Sequence, residues 1–440
     1  MKKRLVSLLV VAAMATGLLA GCGKKDEVVT LTFVERYGNP TRTASLRALL
    51  DEFEEANPNI KVELISPPLE QSQQKITQML MAKDQLDVLE VTSWELSQYI
   101  NNGWLADLND EYAAWDEYDT LKTGIKQSLP VNDVIYTVPI GSYERMLYYR
   151  KDWMEEAGLE FPEPGPEWTY DALYEIAKAL TKPEEGRYGW VLRGAGNSYQ
   201  QFVQQVTMAA VGTDNLLSLE EHYFTADGNS IWASDAAKKG LEFQLKFYQE
   251  CCPADSISWM YSDQVNAFTS GICGLLMQDS DCVGTFKANM EEGTWATYPM
   301  PVDAVTGQAT VGRGADGWGM TSYSEHPEEA WKLLEFLGSA EINTRFCKDY
   351  GVLPAHTTAN LYDSEFEDGY YAPYTYMFNS ENYVPIGGAV LPYSPFQTEF
   401  GDSSDTDLQN LLMGKTTVEE LQEKWNTQWV EARKEYGGLE

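Results

Sequence analysis

The sequence predicts an α/β fold, and three observations carry that reading. Between Val28 and Ser93 the chain alternates strand, helix, strand, helix, strand, at the spacing of a mainly parallel sheet with helices on its faces. At 440 residues the chain is longer than one hydrophobic core organises, so it divides into two domains. Hydrophobic residues make up 43% of it, enough to fill cores of that size.

The first strand is the β-branched run VVTLTFV (28–34), which reads as buried. RTASLRALLDEFEEANP follows, with Leu46, Leu49, Leu50 and Phe53 on one helical face and Asn57-Pro58 as the stop. IKVELI alternates Ile60, Val62 and Leu64 as a second strand. A polar helix from Leu69 to Lys83 leads into LDVLEV, a short strand ending at Thr92-Ser93-Trp94. VIYTVPIGSYERMLYYRKDW supplies two strand-like runs separated by Gly141 to Arg145, and GLEFPEPGPEW is a loop. Thr169 caps a helix whose Leu173, Ile176, Ala177 and Leu180 share a face. Residues 199–212 and 235–250 both read as helices, and GICGLLM is an apolar strand ending in QDSD. After ATYPMPV comes a Gly-rich loop, GRGADGWGM, that enters a strand. Pro327 starts a helix with Ala330, Leu333, Leu334 and Leu337 on its buried face, and Thr417 with Glu420 makes a capping box near the end.

The chain opens MKKRLVSLLVVAAMATGLLAGC. Lys2, Lys3 and Arg4 precede an apolar run from Leu5 to Ala20 that is too short to span and lacks stop-transfer charges, so residues 1–21 are expected to be a secretory signal. Leu19-Ala20-Gly21-Cys22 resembles the bacterial lipobox. That resemblance implies cleavage before Cys22, lipidation of its thiol, and a short tether over residues 22–27. No other segment approaches the length of a membrane span, so the mature chain is expected to be tethered to a cell membrane, facing outward or into a periplasm, and otherwise soluble.

The formal net charge is −35, spread along the chain, a field that repels phosphate backbones and excludes nucleic acid as a partner. Beyond Cys22, the cysteines are 251, 252, 273, 282 and 347, an odd set that fits no disulfide scaffold. Their spacing admits one bridge, Cys273 to Cys282, or free buried thiols. The three histidines (222, 326 and 356) lie far apart and no HExxH occurs, so neither metal nor cofactor is expected. GRGADG matches GxGxxG in form, but a strand follows it where a dinucleotide site needs a helix. DSDCVG begins like a calcium loop but carries Met290 where the bidentate Glu belongs.

Several landmarks in order resemble the sugar-binding lipoproteins of ABC importers, extracellular solute-binding protein family 1, which are maltose-binding-protein-like. They are FEEANPNIKVEL, LDVLEVTSWELSQYINNGWLADLND, IYTVPIGSYERMLYYRKDWMEEAGLEFP with EWTYDALYEIAKALT, GICGLLMQDSD, EEAWKLLEFLGSAEINTRFCKDYGVLPAH and GKTTVEELQ. The resemblance implies a two-lobed, periplasmic-binding-protein-like fold of type II, with discontinuous α/β domains joined by hinge segments and a ligand in the cleft between them. On it, one lobe comprises 28–140 plus 298–342 and the other 141–297 plus 343–440. It implies a monomer without catalysis that captures a sugar or oligosaccharide and delivers it to an ABC permease. The same fold could serve another solute (a polyol, a peptide, a glycerol phosphate); a secreted glycoside hydrolase is the rival from another class.

A sugar needs a flat ring for its C–H face and planar polar groups for its hydroxyls. Position singles out the candidates. Arg36 and Tyr37 follow the first strand; Trp94 follows the strand DVLEV; Tyr143 and Glu144 lie past the first expected crossing. Asp279 and Asp281 end the GLLM strand, where N-capping of the next helix is the plainer role. Asp316 and Trp318 lie in GRGADGWGM. Arg36, Arg145 and Arg313 are the basic residues of these loops, set among acids, which disfavours an anionic ligand.

Overall fold

The computed structural model describes residues 28–93, 95–122, 125–126, 129–217, 223–357, 368–386 and 394–436. The expected signal, the tether, Cys22 and Trp94 lie outside them. Twelve strands form among the described residues: β1 (Val29–Val34), β2 (Ile60–Ile65), β3 (Val88–Val91), β4 (Pro130–Val131), β5 (Val134–Ile135), β6 (Thr137–Arg150), β7 (Tyr188–Trp190), β8 (Cys273–Asp279), β9 (Trp295–Tyr298), β10 (Ala309–Met320), β11 (Leu353–Pro354) and β12 (Tyr383–Ile386). The main sheet runs β2-β1-β3-β10-β6-β8-β7. Its two ends are parallel (β2-β1-β3 and β8-β7), as the alternating pattern predicts, while β3-β10, β10-β6 and β6-β8 are antiparallel.

Each end of the sheet carries its own cores. At the first end, Leu31 and Phe33 of β1 pack with Leu46, Leu50 and Phe53 of the Pro40–Ala56 helix, while Val34 packs with Ile76 and Leu80 of the Leu69–Ala82 helix on the opposite face. The alternation of side chains along the strand therefore sorts one sequence run into two layers. At the other end, Leu275 and Leu276 of β8 pack with Leu173 and Ala177 of the Tyr170–Leu180 helix and with Phe247 of the Asp235–Cys251 helix. A further aromatic core joins Tyr199, Trp232, Phe400, Trp425 and Trp429, which docks the Ser394–Leu412 and Val418–Tyr436 helices.

Two long strands connect these ends. Val138, Ile140 and Tyr143 of β6 belong to the first core, whereas Met146, Leu147 and Tyr148 belong to the second. On β10, Ala309 and Val311 sit with the second core, and Trp318 and Met320 with the first.

Here the structure departs from the sequence reading. The expected break at Gly141 to Arg145 is absent, because β6 runs unbroken over 14 residues, paired with β10 on one flank and β11 on the other. The expected Gly-rich loop is likewise strand β10. Glycine serves there because the backbones approach closely: a Cβ on Gly317 would lie 2.6 Å from Thr137 Cβ, and one on Gly141 would lie 2.5 Å from the Leu353 carbonyl oxygen. The expected 199–212 helix is two helices, Ser198–Gln201 and Val203–Val211, broken at Phe202 (φ −140°, ψ −55°). Cys251, Cys252, Cys273, Cys282 and Cys347 are all free and buried. Among the described residues no helix is long and apolar enough to cross a membrane, and no cluster of metal-ligating side chains occurs.

Candidate functional site

A cavity of about 340 Å³ lies between the two ends of the sheet, within the size range of small-molecule sites. The first end contributes Arg36 and Tyr37 after β1, Thr92 and Glu95 after β3, and Glu70 and Gln73 from the Leu69–Ala82 helix. The connecting strands contribute Tyr143 and Arg145 from β6 and Thr310 and Val311 from β10, beside Tyr350. The far wall holds Arg193, Gln200, Gln201, Gln204, Gln205 and Tyr261, with Gln278, Asp279 and Asp281 at the end of β8. Ser262 donates a hydrogen bond to Glu70, tying the Tyr261–Thr269 helix to the Leu69–Ala82 helix.

Charge fixes the near wall. Arg36 Nε donates to Glu95 Oε1 at 3.0 Å, and Thr92 Oγ1 donates to Glu95 Oε2 at 2.9 Å. Beneath them Arg42 Nη1 reaches Glu35 and Arg42 Nη2 reaches Glu90, both at 2.6 Å and all three nearly inaccessible. Burial works against the Arg42 charge, but Glu90, Tyr350 and Glu35 outweigh it and hold the guanidinium protonated. Burial pushes the Glu90 carboxyl up, and Arg42 pulls it part of the way back. Burial, then Asp316, pushes the Tyr37 hydroxyl well up.

The far wall is pinned by Arg145, which meets Asp279 at 2.9 and 3.3 Å through two nitrogens, while Tyr148 donates to the Asp279 carbonyl at 2.7 Å. Asp281 stands at the N-cap of the Cys282–Asn289 helix but its side chain makes no capping hydrogen bond, and its buried Oδ1 has no partner among the described residues. Burial, with Asp279 beside it, raises its carboxyl to about 7.

Five of the residues singled out from the sequence thus meet at one cavity: Arg36, Tyr37, Tyr143, Asp279 and Asp281. Three do not line it. Glu144 is fully buried, and the pleat of β6 turns it away from the face that Tyr143 and Arg145 share. Asp316 is 2% exposed; burial, then Glu90, pushes its carboxyl well up. Trp318 is 1% exposed, edge-on to Phe33 with 5.3 Å between ring centroids and close to Phe346, which makes it a core residue. Trp94 is undescribed, although its neighbours Thr92 and Glu95 line the cavity.

Sequence reasoning missed Arg193, Tyr261, Tyr350 and the glutamines. The glutamines left a signal, since Gln200, Gln201, Gln204 and Gln205 interrupt the apolar Phe202, Val203 and Val206 across two largely buried helices, where amides need partners. Gln201 Oε1, Gln205 Oε1 and Arg193 Nε are buried without a hydrogen-bond partner among the described residues.

A two-ended α/β molecule with a polar cavity between its halves, bridged by antiparallel strands, is a solute-binding protein by fold and site. The model of the family described as bacterial extracellular solute-binding protein matches residues 37–344, and the chain belongs to that family, one of binding proteins and not of enzymes. It is 26% identical over 293 residues to a mannitol-binding protein of Pseudomonas aeruginosa, a match covering 66% of this chain and 63% of that one. It is 29% identical over 350 residues to an uncharacterised lipoprotein of Streptomyces antibioticus, covering 78% of this chain and 74% of that one. Among solved structures, an ABC substrate-binding protein of Listeria monocytogenes in complex with cycloalternan superposes with a TM-score of 0.77 at 18% identity, covering 94% of this chain and 100% of that one. A maltose-bound protein of T. maritima gives 0.75 at 22% identity, covering 90% and 97%. The two-lobed, maltose-binding-like fold expected from the sequence is therefore the fold observed.

Proposed function

We propose that the protein captures a sugar or polyol in this cavity and delivers it to an ABC permease, anchored to the membrane through a lipid on Cys22. The observation that carries the reading is the set of buried polar atoms on the cavity wall that lack partners among the described residues: Gln201 Oε1, Gln205 Oε1, Asp281 Oδ1 and Arg193 Nε. Each costs roughly 1–3 kcal/mol while unsatisfied, and a ligand rich in hydroxyls supplies donors and acceptors for all of them. Tyr37, Tyr143, Tyr261 and Tyr350 add ring surface for its C–H faces. Relatives and neighbours named for mannitol and maltose support the ligand class, and a relative named a lipoprotein supports the anchor.

Closure rests on β6 and β10. On core membership we place two lobe boundaries within 143–146 and 311–318 and the third after Ala355, so that the Ala340–Tyr350 helix, whose Phe346 and Cys347 pack with Phe33 and Leu46, belongs to the first lobe with Val352 and Ala355. Hinge strands of this kind let ligand contacts made by both lobes favour the closed form that a permease would read.

A thermal-shift screen of the chain from Gly23 onward, against sugars, oligosaccharides and polyols, tests the reading. A ligand at 100 times its dissociation constant adds about 2.7 kcal/mol, a clear rise in Tm. No rise with any sugar or polyol overturns it. The anchor is tested apart: Cys22→Ser should release the protein into the medium, and retention on the membrane would count against lipidation.

A further inference from the structure

Among the described residues, Arg193 is the cation lining this cavity that pairs with no carboxylate. It follows β7 directly, after the buried Val191 and Leu192, and lines the far wall. Among the described residues it makes no ion pair, and its Nε is buried without a partner. The two other arginines of the cavity differ: Arg36 is paired to Glu95, and Arg145 to Asp279.

The carboxylates nearest Arg193 are already committed. Asp279 accepts both nitrogens of Arg145. Asp405 accepts the backbone N–H groups of Gly196, Asn197 and Ser198 at 2.5, 3.2 and 2.8 Å. Burial lowers the proton affinity of the Arg193 guanidinium, and the like charge of Arg145 lowers it further, with Asp279, Tyr261 and Asp405 offsetting only in part. Its ring neighbour is Tyr261, 5.9 Å from the guanidinium carbon to the centroid.

We propose that the ligand is a sugar acid, a uronate or aldonate or an oligosaccharide bearing one, whose carboxylate docks on Arg193. This rests on the sugar or polyol reading and narrows it. A planar carboxylate meets the guanidinium fork through two parallel hydrogen bonds, and a hydroxyl leaves the buried charge uncompensated. Gln201 and Gln205, on the helices beside Arg193, then accept from the hydroxyls of the same ligand. A phosphate dianion fits less well, because one unneutralised cation faces a cavity that Glu70, Asp281 and Asp402 also line. The sequence reading disfavoured any anion because it counted only Arg36, Arg145 and Arg313; folding brings in a cation from outside those loops.

The test is isothermal titration calorimetry of the wild-type protein at neutral pH with matched pairs: D-glucuronate and D-glucose, D-galacturonate and D-galactose, D-mannonate and D-mannitol. The acid should bind about ten-fold or more tighter than its neutral partner in at least one pair. In Arg193→Gln that ratio should fall toward one, with Arg193→Lys between the two. Circular dichroism verifies that each variant is folded, and if Arg193→Gln does not fold, the wild-type ratios decide alone. Neutral members binding as well as their acids overturns the sugar-acid proposal and leaves the sugar reading intact. No binding by either member of any pair, with no shift in the wider screen, removes both.

Discussion

Trp318 shows how much one side chain's facing decides. Its indole packs against Phe33, Phe346 and the Arg42 guanidinium, so Trp318→Ala should cost about 3–5 kcal/mol, read as a fall in the urea midpoint. An unchanged midpoint would disprove the core assignment. Its segment was legible as belonging near the cleft, but its direction was not. Direction on a strand alternates with each residue, so a one-residue difference in register exchanges core for cavity. Glu144 failed for the same reason, between Tyr143 and Arg145, which both line the cavity. Arg36 and Tyr37 were legible because the ends of parallel strands in open α/β sheets face a crevice whatever the register. Arg193 and Tyr350 carried no local sign at all; only the tertiary fold brings them beside Asp279 and Tyr37.

Helices announced themselves through apolar spacing, as with Leu46, Leu49, Leu50 and Phe53 or Leu333, Leu334 and Leu337, all of which are buried. The hinge strands did not, because glycine reads as a loop former. At Gly141 its role is absence of bulk: a Cβ there would also lie 3.0 Å from Cys347 Sγ. Gly141→Ala should therefore destabilise by about 1–3 kcal/mol through overpacking, and it should loosen β11 from β6. Hydrogen exchange at the β6 and β11 amides reads this directly. Faster exchange confined to those strands is the expected result, and wild-type protection there would show that the backbone has room to spare.

Over the whole molecule, the charge of −35 adds self-repulsion to a second effect of acidity. Glu90, Asp281, Asp316 and Asp405 are all pushed up, in each case chiefly by burial. A carboxyl with a raised folded value holds its proton more tightly when folded, so its contribution is full below the unfolded value and is lost as pH rises through the folded one. For Asp281 that window runs from the ordinary 3.8 to about 7. The Tm of the unliganded protein should thus fall from pH 5 to pH 8, with a shallower fall in Asp281→Asn; identical slopes would refute the assignment. Exposed acids such as Glu52, Glu156 and Glu420 are lowered by their partners and act in the opposite sense, below the ordinary value of 4.5. The course of the chain has a consequence in time as well. Leu31 and Phe33, among the first residues of the fold, share their core with Trp318, Leu333 and Phe346. A chain emerging from its N-terminus therefore closes the small core of Val34, Ile76, Leu80 and Leu105 early but leaves this larger one open until roughly three quarters of it is free, a delay that long-range contacts impose on folding. The first half of such a chain, cut out alone, lacks the partners of Leu31 and Phe33 and cannot complete that core.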